Sequence, residues 1–106
     1  MLEHLRITYR GQIALIPQEE IIYMLKDRRK ICIKTTNNEY EFYGQFKDIM
    51  PLLGEHFIQP HRSYVLNIKC IREMKDMQIF LINAEAIILG RACFYRCRKY
   101  VEEYYG

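Results

Sequence analysis

The residues best suited to chemistry in this chain are His61, Arg62 and Ser63, which lie between two apolar runs. They supply an imidazole, a guanidinium fork and a hydroxyl group. A guanidinium can donate two parallel hydrogen bonds to the edge of a guanine base, and all three side chains can bond phosphate oxygens. Pro60 precedes them, lacks a backbone donor, and is expected to end a strand there. The sequence therefore predicts a loop that contacts DNA.

Each member of this triplet also has an ordinary structural interpretation. His61 can bond a phosphate or brace the loop, and the residues alone leave both roles open. Ser63 can contact a phosphate or cap a turn. Arg62 could pair with a neighbouring carboxylate, but its setting between apolar anchors favours a role in binding.

Basic residues are concentrated in two further segments, although the formal net charge is only +3. Residues 26–30 hold four basic residues and one acid, and residues 91–99 hold four basic residues and no acid. The acids gather elsewhere, at residues 19–20, 39–41 and 102–103. A basic edge opposite acidic surfaces is typical of a nucleic-acid binder, but chance clusters on a solvated surface would look similar.

The sequence predicts neither catalysis nor a cofactor. His61 has no evident nucleophile or carboxylate partner, and there is no glycine-rich phosphate loop. The four cysteines contain no Cys-x-x-Cys pair, and zinc would need further ligands at suitable spacing. We therefore predict a protein that is not an enzyme and binds no metal.

The cysteines are expected to be mainly packing residues. Cys32 and Cys70 lie in apolar runs and are predicted to be inert core thiols. Cys93 and Cys97 are one helical turn apart and share a face. Cys93 has arginines nearby that could stabilise a thiolate able to sense oxidants, but a core or half-buried thiol is the favoured interpretation.

Length and composition predict one globular domain spanning residues 1–106. The first four residues lack the basic start and apolar stretch of a signal peptide. No apolar run approaches the about 20 residues that a membrane-spanning helix needs. We therefore expect a cytoplasmic protein with no membrane partner.

Strand signals dominate the chain. Strands are predicted over residues 5–9, 13–16, 21–25, 31–36, 39–43, 68–74, 78–82 and 86–89. In one of them, Tyr40 and Phe42 should face opposite to Glu39, Glu41 and Tyr43. Residues 45–53 change to a helical period that Pro51 must shorten or kink, and a C-terminal helix is predicted from residue 92. The fold class is mainly β with antiparallel strands.

The central segment also resembles the signature of a known family. The most recognisable part of the LytTR family of bacterial DNA-binding domains is matched by Phe57, the triplet at residues 61–63, and residues 64–67 (Tyr, Val, Leu and Asn). The preceding residues 41–49 fit the strand and short helix that this family has there, and the resemblance extends from about residue 5 to residue 104. It implies an elongated antiparallel β-sheet domain with one short internal helix and a C-terminal helix.

The resemblance also implies how DNA is bound. LytTR domains contact DNA with loops on one long edge, inserted into major grooves. By counting from the family pattern, Arg29, Arg62 and Arg91 are candidate base contacts, with Gly90 replacing a common serine. The other expected DNA-binding residues are Arg28 and Lys30, as phosphate partners, together with His61 and Ser63. Asn67 is expected to tie the backbone rather than to read bases.

The same resemblance implies the biological setting. Such domains are output domains of bacterial two-component response regulators, sit behind a receiver domain, and bind as pairs to repeated promoter sites. The expected partner is double-stranded promoter DNA, in transcription regulation. Two other classes stay open: a protein-interaction module using exposed Tyr100, Tyr104 and Tyr105, and a single-strand binder that stacks bases on aromatic side chains.

Overall fold

The computed structural model describes residues 3–106, so Met1 and Leu2 of the predicted domain lie outside the described residues. Ten strands are found in this range: β1 (His4–Tyr9), β2 (Gln12–Pro17), β3 (Ile21–Asp27), β4 (Lys30–Thr35), β5 (Glu39–Tyr43), β6 (Phe57–His61), β7 (Tyr64–Asn67), β8 (Ile71–Lys75), β9 (Gln78–Leu81) and β10 (Ala86–Ile88). Two α-helices accompany them: α1 (Phe46–Ile49) and α2 (Arg91–Tyr105). Three short 3₁₀ turns occupy Gln18–Glu20, Met50–Leu52 and Ile68–Cys70.

The strands form three antiparallel sheets. The largest has the order β5-β4-β3-β7-β6, a second has the order β10-β9-β8, and β1 pairs only with β2. The molecule measures 41 × 29 × 25 Å and is therefore elongated. This confirms the predicted fold class: mainly β, antiparallel, with one short internal helix and a C-terminal helix.

The five-stranded sheet is the middle of three layers. One face packs against the β1–β2 hairpin and α1, through residues that include Met24, Val65 and Phe46. The other face packs against the three-stranded sheet and α2, through residues that include Leu66 and Phe94. Because neighbouring residues of a strand point to opposite faces, a strand in this position must be apolar on both sides. The continuous apolar start of β3 reflects this central position.

Two polar side chains are buried among the described residues, and each bonds the backbone of another segment. The Asn67 amide donates to the carbonyl oxygen of Ile21 at 2.9 Å, and its own oxygen accepts the backbone N–H of Lys69 at 3.0 Å. The Gln18 amide donates to the carbonyl of Leu52 at 3.0 Å and accepts from the N–H of Gly54 at 2.9 Å. The expectation that Asn67 ties the backbone is confirmed.

Two local predictions need correction. Ile68–Cys70 is a 3₁₀ turn and not the start of a strand, because the Asn67 side chain caps it by accepting from Lys69. Pro60 does not end a strand but lies inside β6. It is tolerated there because β6 is an edge strand and its pairing shifts register between Ile58 and His61.

The helices follow the sequence pattern more closely. Gln45 precedes α1, and Pro51 falls in the 3₁₀ turn that continues it, so this helix is short as predicted. Tyr40 and Phe42 pack into the core while Tyr43 is exposed, as predicted for β5. No helix in the described range is long and apolar enough to cross a membrane.

Candidate functional site

Two basic turns lie side by side at one end of the five-stranded sheet. Arg28 and Arg29 form the turn between β3 and β4, and Arg62 and Ser63 form the turn between β6 and β7. Strands β3 and β7 are neighbours, so these two turns must lie at the same end of the sheet. The N–H of Lys26 donates to the carbonyl oxygen of Ser63 at 2.8 Å and joins them directly.

The two turns enclose a cleft of about 350 Å³, hereafter the basic cleft, lined by Lys26, Arg28, Arg62 and Ser63. Three of these four side chains are cationic and the fourth carries a hydroxyl. Arg28 holds a left-handed backbone conformation with φ of 60°, which costs a non-glycine residue about 1–2 kcal/mol. Strain of this kind is often retained where a side chain has a function.

A second cleft of about 520 Å³ adjoins the first. One wall is the end of β3 and the turn after it, with Lys26, Arg28 and Arg29, and the other is the end of β5 and the two residues after it, residues 43–45. The carbonyl oxygen of Arg29 accepts the N–H of Gly44 at 3.1 Å, and Lys30 places its ammonium 5.8 Å from the ring centre of Tyr43. Arg28 thus belongs to both clefts, whereas Arg29 lines only this one.

The positive charge of these clefts is not neutralised within the described residues. The ion pairs among the described residues join Lys34 to Glu39, Lys75 to Glu73 and Arg98 to Glu102. None of the cations that line the two clefts takes part in such a pair. Several unpaired cations at one end of a sheet create a positive potential that attracts polyanions.

His61 braces the turn that carries Arg62. Its Nδ1 accepts the backbone N–H of Ser63 at 3.0 Å, and its ring centre lies 5.8 Å from that of Tyr64. A neutral imidazole that accepts at Nδ1 carries its proton at Nε2, which is then available to donate to another group. Of the two roles left open by the sequence, the bracing role is the one present in the structure.

Arg91 lies at the start of α2 and not in a loop, because Gly90 is the residue that precedes the first helical turn. Two contacts give the direction of α2 along β6, and Arg91 lines neither of the two clefts. Arg96 contacts Pro60 close to the turn between β6 and β7, while Tyr104, farther along the helix, lines a cleft with Glu55 before the start of β6. The helix therefore runs opposite to β6, with Arg91 at the end nearer the basic turns.

Arg91 is exposed, and its guanidinium lies 5.7 Å from the ring centre of Tyr95. Gly90 has no side chain to cap the helix, and the Gly90 carbonyl accepts the N–H of Phe94 at 2.9 Å. The first N–H groups of a helix carry partial positive charge, which adds to the charge of Arg91. This end of α2 therefore suits contact with an anion.

Two residues at this end of the molecule were not predicted as site residues. Lys26 is half-buried and lines both clefts, but the sequence only placed it in a basic segment. Arg96 donates to the Pro60 carbonyl at 3.1 Å. Neither role could be read from spacing, since each contact joins elements far apart in the sequence.

Three of the four cysteines occupy the positions expected of them, and the exception is Cys32, which was predicted to be a core thiol and is only partly buried. Cys70 and Cys97 are buried, and burial raises the pKa of both thiols, that of Cys97 to about 12. Cys32 is half-buried, and its pKa is raised by burial and then by Glu39. Cys93 is half-buried and accepts a hydrogen bond from the Arg96 guanidinium at 3.4 Å.

Comparisons with known proteins bear on the family and on the fold. The sequence model of the LytTr DNA-binding domain family matches residues 11–102. A solved structure, the LytTr DNA-binding domain of a putative methyl-accepting/DNA response regulator from Bacillus cereus, is similar in fold with a TM-score of 0.81. The two sequences are 16% identical, and the alignment covers 95% of this chain and 98% of the other. No curated protein matches the sequence significantly.

Proposed function

This chain belongs to the LytTR family of DNA-binding domains, and we propose that it binds specific double-stranded DNA sequences through the basic turns at one end of its central sheet. The observation that carries the proposal is the convergence of Lys26, Arg28, Arg62 and Ser63 on one cleft. DNA phosphates provide the complementary charge, and base edges provide groups that an arginine fork can recognise.

The residues of the turns have different proposed roles. Arg62 projects from a turn braced by His61 and is proposed to read a guanine in the major groove. Ser63 and the Nε2–H of His61 are proposed to donate to phosphates beside that base. Lys26, at the junction of the two turns, is proposed to hold a phosphate in the basic cleft.

The β3–β4 turn offers a choice of base-contacting residue. Arg29 was expected from the family pattern, with Arg28 and Lys30 as phosphate partners. Arg28 shares the basic cleft with Arg62, whereas Lys30 lies near the ring of Tyr43. We propose that Arg28 acts together with Arg62 at one site, and that Arg29 enters the groove from the second cleft.

Arg91 is proposed to make a separate contact with the duplex from the start of α2. Neighbouring major grooves on one face of B-DNA lie about 34 Å apart. The longest dimension of the molecule is 41 Å. We propose that the helix end contacts a segment of the duplex different from the one that the two turns contact.

The proposed setting is that of an output domain in a bacterial transcriptional regulator. In this proposal residues 1–106 form one domain, controlled by an upstream receiver domain, and two copies bind repeated promoter sites. The solved structural relative is described as part of a response regulator, which supports this setting without assigning a signal or a promoter.

A protein-interaction module has less support. Of the three tyrosines considered for it, Tyr100 and Tyr105 are 53% and 63% exposed, but Tyr104 packs against the core. A function based on this helix face would also leave the unpaired cations of the two turns unexplained.

Selection of duplexes from a randomised pool, followed by mobility-shift assays, tests the proposed function. We expect enrichment of a short guanine-containing motif and affinity that falls steeply as salt rises. Competition with single-stranded probes separates duplex binding from aromatic stacking on single strands. Failure to enrich any duplex, or association insensitive to salt, would contradict the proposal.

A further inference from the structure

Arg96 connects α2 to the turn that carries Arg62. One of its terminal nitrogens, Nη2, donates to the carbonyl oxygen of Pro60 at 3.1 Å and to the sulfur of Cys93 at 3.4 Å. Pro60 is two residues before Arg62, and Cys93 is two residues after Arg91. A single guanidinium thus bonds next to both proposed DNA-contacting positions.

We propose that Arg96 is a positioning residue that holds Arg62 and Arg91 in a fixed relation, so that both reach the duplex together. This inference rests on the proposed function, but it assigns a role to a residue that would not itself touch DNA. It also makes α2 a support for the β6–β7 turn in addition to a carrier of Arg91.

The β6–β7 turn needs such a support because of the strand that leads into it. β6 is an edge strand with a register shift between Ile58 and His61, and Pro60 contributes no backbone donor. Within its sheet, β6 has a neighbouring strand, β7, on one side only. The bond from Arg96 to the Pro60 carbonyl supplies a fixed point in this irregular stretch.

Arginine suits this task better than lysine. The guanidinium is planar, and its donors keep fixed directions relative to one another. Lysine carries the same charge on a flexible side chain, but its ammonium group lacks the planar arrangement of donors that a guanidinium has. Arg96→Lys therefore separates the effect of charge from the effect of geometry.

Affinity for a selected duplex provides the first test, with Arg98→Ala as the matched control. Arg98 is an exposed arginine on the same helix, and its ion-pair partner is Glu102 rather than β6. We expect Arg96→Ala to weaken binding about tenfold or more, and Arg98→Ala to change it less than about twofold. The slope of log affinity against log salt should stay unchanged in Arg96→Ala, because no phosphate contact is lost.

Amide hydrogen exchange of the free protein provides the second test, which needs no DNA. In Arg96→Ala we expect faster exchange at the N–H groups of Ser63 and Lys26, and unchanged exchange in Arg98→Ala. Arg96→Lys should restore exchange protection and affinity to the same partial degree. Restored affinity without restored protection would mean that charge alone acts, and would overturn the proposal.

These experiments distinguish failure of the proposed DNA-binding function from failure of the positioning role of Arg96. If the wild-type protein binds no duplex, the proposed DNA-binding function fails, whatever the exchange data show. If the wild type binds but Arg96→Ala behaves like Arg98→Ala, the positioning role fails while the function stands. A salt slope reduced by about one in Arg96→Ala would indicate direct phosphate contact and would also overturn the positioning role.

Discussion

The backbone N–H of Lys26 donates to the carbonyl oxygen of Ser63 at 2.8 Å, across the boundary between two hairpins. This bond continues the pairing of β3 with β7 beyond the strand end and fixes the spacing of the two basic turns. The Lys26 side chain consequently lines a cleft shared with Arg28 and Arg62. An anion in that cleft would contact residues from both hairpins at once.

Replacing Lys26 with alanine should weaken DNA binding without changing sequence preference. If Lys26 holds a phosphate, the loss is uniform across duplexes, and the slope of log affinity against log salt falls by about one. Lys69→Ala is the matched control, because Lys69 follows β7 at the opposite end of the hairpin and is exposed. Equal effects of the two substitutions, measured by salt titration of mobility shifts, would contradict a specific role for the basic cleft.

Replacing Arg62 or Arg91 with alanine should reduce both affinity and discrimination. Loss of a bidentate contact to guanine costs about 1–3 kcal/mol and relaxes selectivity at that base pair. Arg72→Ala is the control, because Arg72 is exposed and lies near the start of β8. The start of α2 lies towards the other end of that strand, where the N–H of Leu89 donates to the carbonyl oxygen of Met77. Mobility shifts on the selected duplex and on single-base variants measure both effects, and unchanged shifts for both variants would refute these assignments.

The sequence predicted individual strands and helices well where the signal is local. The two faces of β5 and the short length of α1 before Pro51 both follow from neighbouring residues. The run of apolar residues at Ile68–Cys70 misled the strand prediction, because buried 3₁₀ turns and short strands share that composition. The Asn67 cap that decides between them is itself a local signal.

The site was harder to predict than its elements because its geometry depends on long-range pairing. The adjacency of the two turns follows from the pairing of β3 with β7, strands separated by about forty residues, and no local pattern fixes that choice. Arg28, which has the left-handed conformation, is the one that shares a cleft with Arg62. Because the turn consists of two arginines, the sequence does not determine which of them lies beside Arg62.

Asn67→Ala should destabilise the fold by about 1–3 kcal/mol. The substitution leaves the Ile21 carbonyl and the Lys69 N–H without the partners they have in the buried core. Asn37→Ala, in the exposed turn before β5, is expected to change stability by less than about 0.5 kcal/mol. Urea denaturation of the three proteins measures the difference, and equal midpoints for Asn67→Ala and the wild type would show that the buried amide is dispensable.

Alkaline pH should destabilise the protein through Cys97, and Cys97→Ala should reduce that sensitivity. Burial raises the pKa of this thiol from 9.0 to about 12, so the unfolded chain loses the proton first as pH rises. The contribution of the Cys97 thiol to folding stability is complete below pH 9 and is lost progressively as the pH rises towards 12. Each pH unit in this window removes at most about 1.4 kcal/mol for one proton.

The measurement is the free energy of unfolding in urea at pH 8, 9 and 10 for the wild type and Cys97→Ala. The variant starts from lower stability because a buried group is lost, so the comparison concerns the slope with pH and not the absolute value. Tyr23 also has a raised pKa, from burial and then its hydrogen bond to Glu85, and contributes an alkaline slope to both proteins above pH 10. A wild-type slope equal to that of the variant between pH 9 and 10 would show that the Cys97 thiol ionises as readily in the folded protein as in the unfolded chain.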